Sequence, residues 1–227
     1  MASIPRSRTY YLDDSLVVLA VDNELYRVHR SVLIRESDVF AGMFALPQDP
    51  AQSNQVDGSD DEHPIVIPIT TKEEFEAFLD YIYTSPHEVY QADLATWLLL
   101  YTIGDRYSCE KLVQRVIRKI ENLTRDFSYV ERIVLADGYG LRQFVKKACK
   151  DFVVMKSHAD LGYAETNRLG LGRTTMLFRI HERTCRLSLW RSSTWEEEAE
   201  NIIAEEMAQY DQAASVLPPS DDHHTTQ

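Results

Sequence analysis

Six consecutive apolar residues, Leu16-Val-Val-Leu-Ala-Val21, constrain this chain more than any other segment. A strand that is apolar at odd and even positions alike has no face to give to water, so it reads as a buried strand. Asp22-Asn23 follows with turn chemistry, and Leu25-Tyr26-Arg27-Val28 predicts the returning strand of a hairpin. A third strand is predicted over Ile65 to Ile69. Pro68 cannot donate a ladder bond, so that strand sits at an edge or ends there.

Helical patterns fill the rest. A short helix holds Val32, Leu33 and Ile34 inside, and Ser37 caps a second that buries Phe40, Met43 and Phe44 at i, i+3, i+4. Thr71 and Glu74 form a capping box ahead of a face of Phe75, Phe78, Leu79 and Ile82. Leu94, Trp97, Leu98 and Tyr101 make the next face. Ser108 predicts the cap of a helix carrying Leu112, Val113, Val116, Ile117 and Ile120. Ser128 and Glu131 form a second capping box, and Gly138 and Gly140 stop the helix it opens. Leu141, Phe144, Val145 and Ala148 follow on one face. Leu161 to Leu169 predicts a short helix stopped by Gly170 and Gly172, whereas residues 174–191 fit a helix and an alternating strand equally. Thr194 to Glu197 is a third capping box. It opens a helix with Trp195, Ala199, Ile202, Ile203, Met207 and Tyr210 on one side, and Pro218-Pro219 ends all structure. Strands crowd the first third and helices fill the remainder, which predicts an α+β fold.

Charge narrows the function classes. The formal net charge is −12 over 227 residues. Residues 47–64 hold five acids and no Lys or Arg, and with Gly58 they read as a mobile surface loop. Residues 106–191 hold 18 Lys and Arg against 9 acids, and residues 192–227 hold nine acids and no Lys or Arg. A chain this acidic is a poor nonspecific nucleic-acid binder, because that binding runs on surplus positive charge. No apolar run approaches membrane-spanning length, and Met1 to Tyr10 lacks the apolar stretch of a secretory signal. Cys109, Cys149 and Cys185 are odd in number and far apart, which argues for reduced thiols and an intracellular home.

Sought chemistry is sparse. Glycine-rich phosphate loops, the Gly-x-Ser-x-Gly elbow and Cys-x-x-Cys are absent from the sequence. His181 and Cys185 share a helix face, but two ligands do not make a tetrahedral site. His223-His224 lies in the expected tail. The carboxylates cluster where a solvated face is the default. No catalytic residue, metal or cofactor is therefore assigned, and the chain reads as a non-enzyme.

Two separated motifs carry a family resemblance. From Leu16 to Phe44 the chain has an apolar strand, a hairpin, the phrase Val28-His29-Arg30, then Leu33, Ser37, Phe40 and Phe44 on two helices. That stretch resembles the start of a BTB/POZ domain. Leu79-Asp80-Tyr81-Ile82-Tyr83-Thr84 is similar to the same family's third-helix signature. The resemblance covers residues 10–122, with the acidic loop 47–63 inside. Residues 123–213 are similar to the helical extension of short BTB proteins known mainly from fungi, on the phrase Glu165-Thr-Asn-Arg-Leu-Gly-Leu171. Residues 214–227 are expected to form a disordered tail.

The resemblance implies a small three-stranded sheet with a helical cluster and makes His29, Leu33, Ser37, Phe40, Phe44, Tyr81 and Tyr83 scaffold residues. His29 by itself reads as a structural hydrogen-bonding residue. The function implied is protein–protein interaction, either self-association or adaptor work for cullin-type ubiquitin ligases. The alternative is a transcription regulator recruiting partners through the same domain, with no DNA-reading motif to support it. In dimerising relatives an Asp at the first-strand start pairs with the Arg after the His. Arg30 matches the Arg, while the Asp position holds Leu16, with Asp14 two residues earlier. Cullin-binding relatives often carry an apolar residue, any residue, then Glu. Leu46-Pro47-Gln48 ends in a neutral amide instead, which predicts weak cullin binding. The candidate interface is thus Asp14, Leu16, Arg30, Leu46 and Gln48. The expected partners are proteins, a second copy among them, with neither nucleic acid nor membrane.

Overall fold

A computed structural model describes residues 14–46, 57–84, 89–154, 161–186 and 194–216. The chain divides into two compact units, residues 1–123 and 124–227.

In the first unit, β1 (Leu16–Val21) pairs antiparallel with β2 (Glu24–His29). Asp22 and Asn23 both have positive φ, 47° and 65°. Such a two-residue turn matches the twist of the strands it joins, and Asn and Asp tolerate the left-handed region. β1 is the central strand of the order β2-β1-β3, with Val17, Val18, Leu19 and Val21 all buried. The third strand is shorter than the apolar pattern predicts: β3 is Ile65–Val66 only, running parallel to β1. One further bond, from the Ile67 N–H to the Ala20 carbonyl, extends the pairing. Pro68 then offers no donor and Ile69 turns away at φ 59°, so the chain leaves the sheet.

The acidic segment also departs from its reading as a mobile loop. Residues 47–56 lie outside the described residues, but 57–64 fold against the sheet. The Gly58 carbonyl accepts from the Val18 N–H at 2.9 Å, and the Gly58 N–H donates to the His63 carbonyl at 2.6 Å. The Asp60 carboxylate accepts from the amides of Glu62 and His63 and from the His63 ring. Composition marks these acids as solvated; three residues of local geometry turn one of them into a turn-former.

Helices α1 (Arg30–Glu36) and α2 (Asp38–Ala45) meet at Ser37. Its hydroxyl accepts from the Phe40 N–H at 3.1 Å and donates to the Tyr107 carbonyl at 2.6 Å, both buried. Of the three apolar residues expected inside α1, Leu33 is buried, Val32 half-buried and Ile34 exposed. In α3 (Lys72–Tyr83) the capping box forms as expected, with Thr71 and Glu74 satisfying each other's backbone N–H. Phe75 and Phe78 are fully buried beneath it, each contributing about 1.5–3 kcal/mol by the area it removes from water. Helices α4 (Leu94–Arg106) and α5 (Glu110–Leu123) complete the unit. Ser108 is not their cap residue. It sits at φ 52°, and its N–H donates to the Asp105 carbonyl, so the turn consumes it before α5 begins.

A polar chain runs through this core. Glu74 is buried and pairs with Arg106 at 2.6 Å; Arg106 also donates to the Thr70 hydroxyl, which bonds the Tyr107 hydroxyl at 2.7 Å. The Tyr107 ring stacks on Phe40 at 4.9 Å. Helix starts, sheet exit and aromatic core are thereby tied into one network.

The second unit contains α6 (Tyr129–Tyr139), α7 (Arg142–Val154), α8 (Tyr163–Arg186) and α9 (Trp195–Val216). Ser128 and Glu131 form the expected capping box, and Gly140 ends α6 in the left-handed region at φ 67°. Gly138, also expected to stop it, stays inside the helix. Gly170 breaks α8 at φ 73°, as its predicted stop, whereas Gly172 lies within the continuing helix. The ambiguous stretch beyond residue 174 is helical to Arg186, with residues 187–193 outside the described set. Ala199, Ile202, Ile203 and Met207 of α9 are buried, and α9 packs on α7 and α8 within this unit. It runs to Val216, past the expected start of a tail. Among the described residues no helix is long and apolar enough to cross a membrane.

Candidate protein interface

The turn from β2 into α1 fixes the first part of the site. His29 is the residue before α1 and makes no side-chain cap bond of its own. Asp14 supplies one from across the sheet: its carboxylate accepts from the Ser31 N–H at 3.3 Å and from the Ser31 hydroxyl at 2.8 Å. A carboxylate at a helix start meets exposed amides and the positive end of the dipole. The Ser31 hydroxyl accordingly holds the Asp14 carboxyl below its ordinary pKa.

Arg30 and Asp14 are not paired with each other. The Arg30 guanidinium lies 4.8 Å over the Phe44 ring and donates to the Phe44 carbonyl at 2.5 Å. That carbonyl is in the last turn of α2, where helices leave acceptors unsatisfied and favour cations. The half-buried Arg therefore has a partner without any carboxylate. The structure brings Asp14, Leu16 and Arg30 to one end of the hairpin, since Leu16 faces His29 in the ladder. Arg30 in turn links that end to the C-terminus of α2, where Leu46 follows. Leu16 is 46 % exposed and Leu46 69 %. Gln48 lies outside the described residues.

The scaffold residues divide by depth. Leu33, Ser37 and Phe40 are buried, and Phe44 and Tyr81 are half-buried. Tyr83 is 45 % exposed and works through its hydroxyl, which accepts from the His29 N–H at 2.9 Å and meets His29 Nδ1 at 3.0 Å. His29 and Tyr83 thus join β2 to the end of α3. Ser31 and Phe44, the partners of Asp14 and Arg30, carry no local sequence signal, because each contact spans 14 residues or more.

Elsewhere, a cleft of about 230 Å³ between α7 and α9 is lined by Val153, Trp195 and Ile203, with the Lys150–Glu200 pair at its side. His181 and Cys185 approach at 3.5 Å, and no group of three or more potential metal ligands occurs among the described residues.

A three-stranded sheet tied to its helices by His29, Ser37 and Tyr83 defines the fold class of the first unit. The chain belongs to the BTB/POZ domain family, whose model matches residues 8–123. That family is one of protein–protein interaction modules and not of catalysts. No curated protein matches the chain.

Proposed function

We propose that this chain is a non-catalytic adaptor whose BTB/POZ domain self-associates through the surface around the start of β1 and the end of α2. The observation that carries the reading is the pair of exposed apolar side chains, Leu16 and Leu46, on either side of an Arg30 already fixed on Phe44. Arginine held in place with apolar neighbours is a common anchor of interfaces, and little ordering remains to oppose association. Light scattering of the full chain at micromolar concentration is expected to give twice its 26.2 kDa mass. Leu16→Asp should return the single-chain mass while unfolding stays a single cooperative transition, with a melting temperature that no longer depends on protein concentration. A single-chain mass for the unaltered protein at every concentration would remove the reading.

As an adaptor, the domain would engage a cullin scaffold weakly, because Gln48 stands where cullin-binding relatives carry Glu. Titration calorimetry should show binding strengthened by Gln48→Glu. Tight binding that ignores this substitution would place recruitment on other residues. Residues 124–216 act in this reading as the helical extension of the module.

A further inference from the structure

The exposed side of α5 carries Lys111, Arg115, Arg118 and Lys119, at i, i+4, i+7 and i+8. The spacing places all four on one helix face, a line of about 12 Å at the helical rise per residue. None of the four has a carboxylate at ion-pair distance among the described residues. Most other cations among the described residues do: Lys72 meets Glu24, Arg106 meets Glu74, Lys150 meets Glu200 and Arg183 meets Glu205. Like charges at i, i+4 destabilise a helix, so the mutual repulsion within this row is a cost to the fold.

Two of the cations are also held in place. The Arg115 guanidinium lies 5.9 Å from the Tyr81 ring centre and the Lys119 ammonium 5.9 Å from that of Trp97. Cations resting on aromatic faces keep their charge forward at reduced entropic cost. The row lies within the basic stretch 106–191, and among the described residues it is not neutralised by ion pairs.

We infer that this α5 face docks a short acidic segment of a partner polypeptide, its carboxylates meeting Lys111, Arg115, Arg118 and Lys119. The inference refines the interaction-module reading by naming a partner chemistry, on residues other than those of the self-association surface. A polypeptide fits better than nucleic acid. The row is only as long as a few helical turns, and a longer polyanion would run on across an acidic molecule that repels it.

The test is fluorescence anisotropy of the full chain with a labelled peptide of repeated Glu-Glu-Leu triplets long enough to span the row. Oligothymidylate of equal charge and phosphatidylserine vesicles serve as competitors. Binding should be saturable and weaken as salt rises. Arg115→Glu/Lys119→Glu should abolish it. Lys111→Glu/Arg118→Glu, which disturbs neither ring contact, should weaken it about tenfold or more with an unchanged melting curve. Absence of peptide binding at low salt, binding indifferent to Lys111→Glu/Arg118→Glu, or effective displacement by oligothymidylate or vesicles would each overturn the inference. Light scattering on the same samples keeps the two ideas separate. Failure of the unaltered chain to bind peptide, with the dimer mass intact, removes only the α5 docking face, and a single-chain mass with peptide binding intact removes only the self-association reading.

Discussion

Arg173 shows how much one side chain can organise. It is 7 % exposed, donates to both oxygens of Asp137, and lies 3.8 Å over the Tyr210 ring. One cation thereby joins α6, α8 and α9. Asp137→Ala would strand the buried guanidinium, and urea unfolding is expected to show a loss of roughly 3 kcal/mol. Arg186→Ala, which removes only an exposed pair with Glu182 four residues away, should leave the same curve unmoved. Gly58 is the second residue of this kind. At φ 80°, a Cβ there would fall 2.5 Å from Val17 Cγ2. Gly58→Ala therefore combines a disfavoured backbone with a clash against β1, and should cost about 1–3 kcal/mol in the same measurement.

Among elements, α3 has a first turn that serves two ends at once. Thr71 and Glu74 close the capping box, and the Glu74 carboxylate also takes Arg106 from α4. Thr71→Ala removes a single cap bond and is expected to lower stability by about 1 kcal/mol. Glu74→Ala loses the reciprocal cap bond and leaves Arg106 without its carboxylate, so it should cost more. Urea midpoints of the two variants, compared at equal slope, check the order. Helix α9 is secured differently, by an apolar side on α7 and α8 and by acids on the other elements' bases. Arg183 pairs with Glu205 and Glu206, and Glu200 with Lys146 and Lys150. Arg179 also reaches Glu206, whereas Arg186 pairs with Glu182 of its own helix.

The whole molecule should be most stable between about pH 5 and pH 8.5. On the acid side, hydrogen bonds from Ser31, His63 and Lys150 hold the carboxyls of Asp14, Asp60 and Glu200 below their ordinary values. The folded state keeps these groups charged, so stability falls as acid first protonates the unfolded chain near pH 4.5 and then the native one below. On the alkaline side, burial pushes the Cys109 thiol up to about 11, the Cys149 thiol to about 12 and the Tyr26 phenol to about 12. The unfolded chain releases these protons first, from an ordinary thiol value of 9.0, so stability falls from about pH 9 upward. A plot of urea midpoint against pH should show both shoulders; a flat alkaline limb would contradict the burial of the two thiols.

What the sequence by itself determined is local. Asp22-Asn23 set the hairpin, and Thr71 with Glu74 and Ser128 with Glu131 set helix starts, because each of these signals acts within three residues. The six-residue apolar run made β1 a buried strand, and the phrase Val28-His29-Arg30 with the α3 signature carried the family. Ser108 escaped this reading, since the turn that takes it up forms between α4 and α5, whereas the edge position of β3 and its end before Pro68 were legible in the proline, which lacks a donor. Tertiary structure alone decided that Asp14 meets Ser31, that Arg30 meets Phe44, and that Asp137 meets Arg173. In each case the partners are 14 to 36 residues apart in sequence. Their meeting depends on how sheet and helices bury their apolar faces together, and no periodicity within a single segment encodes that.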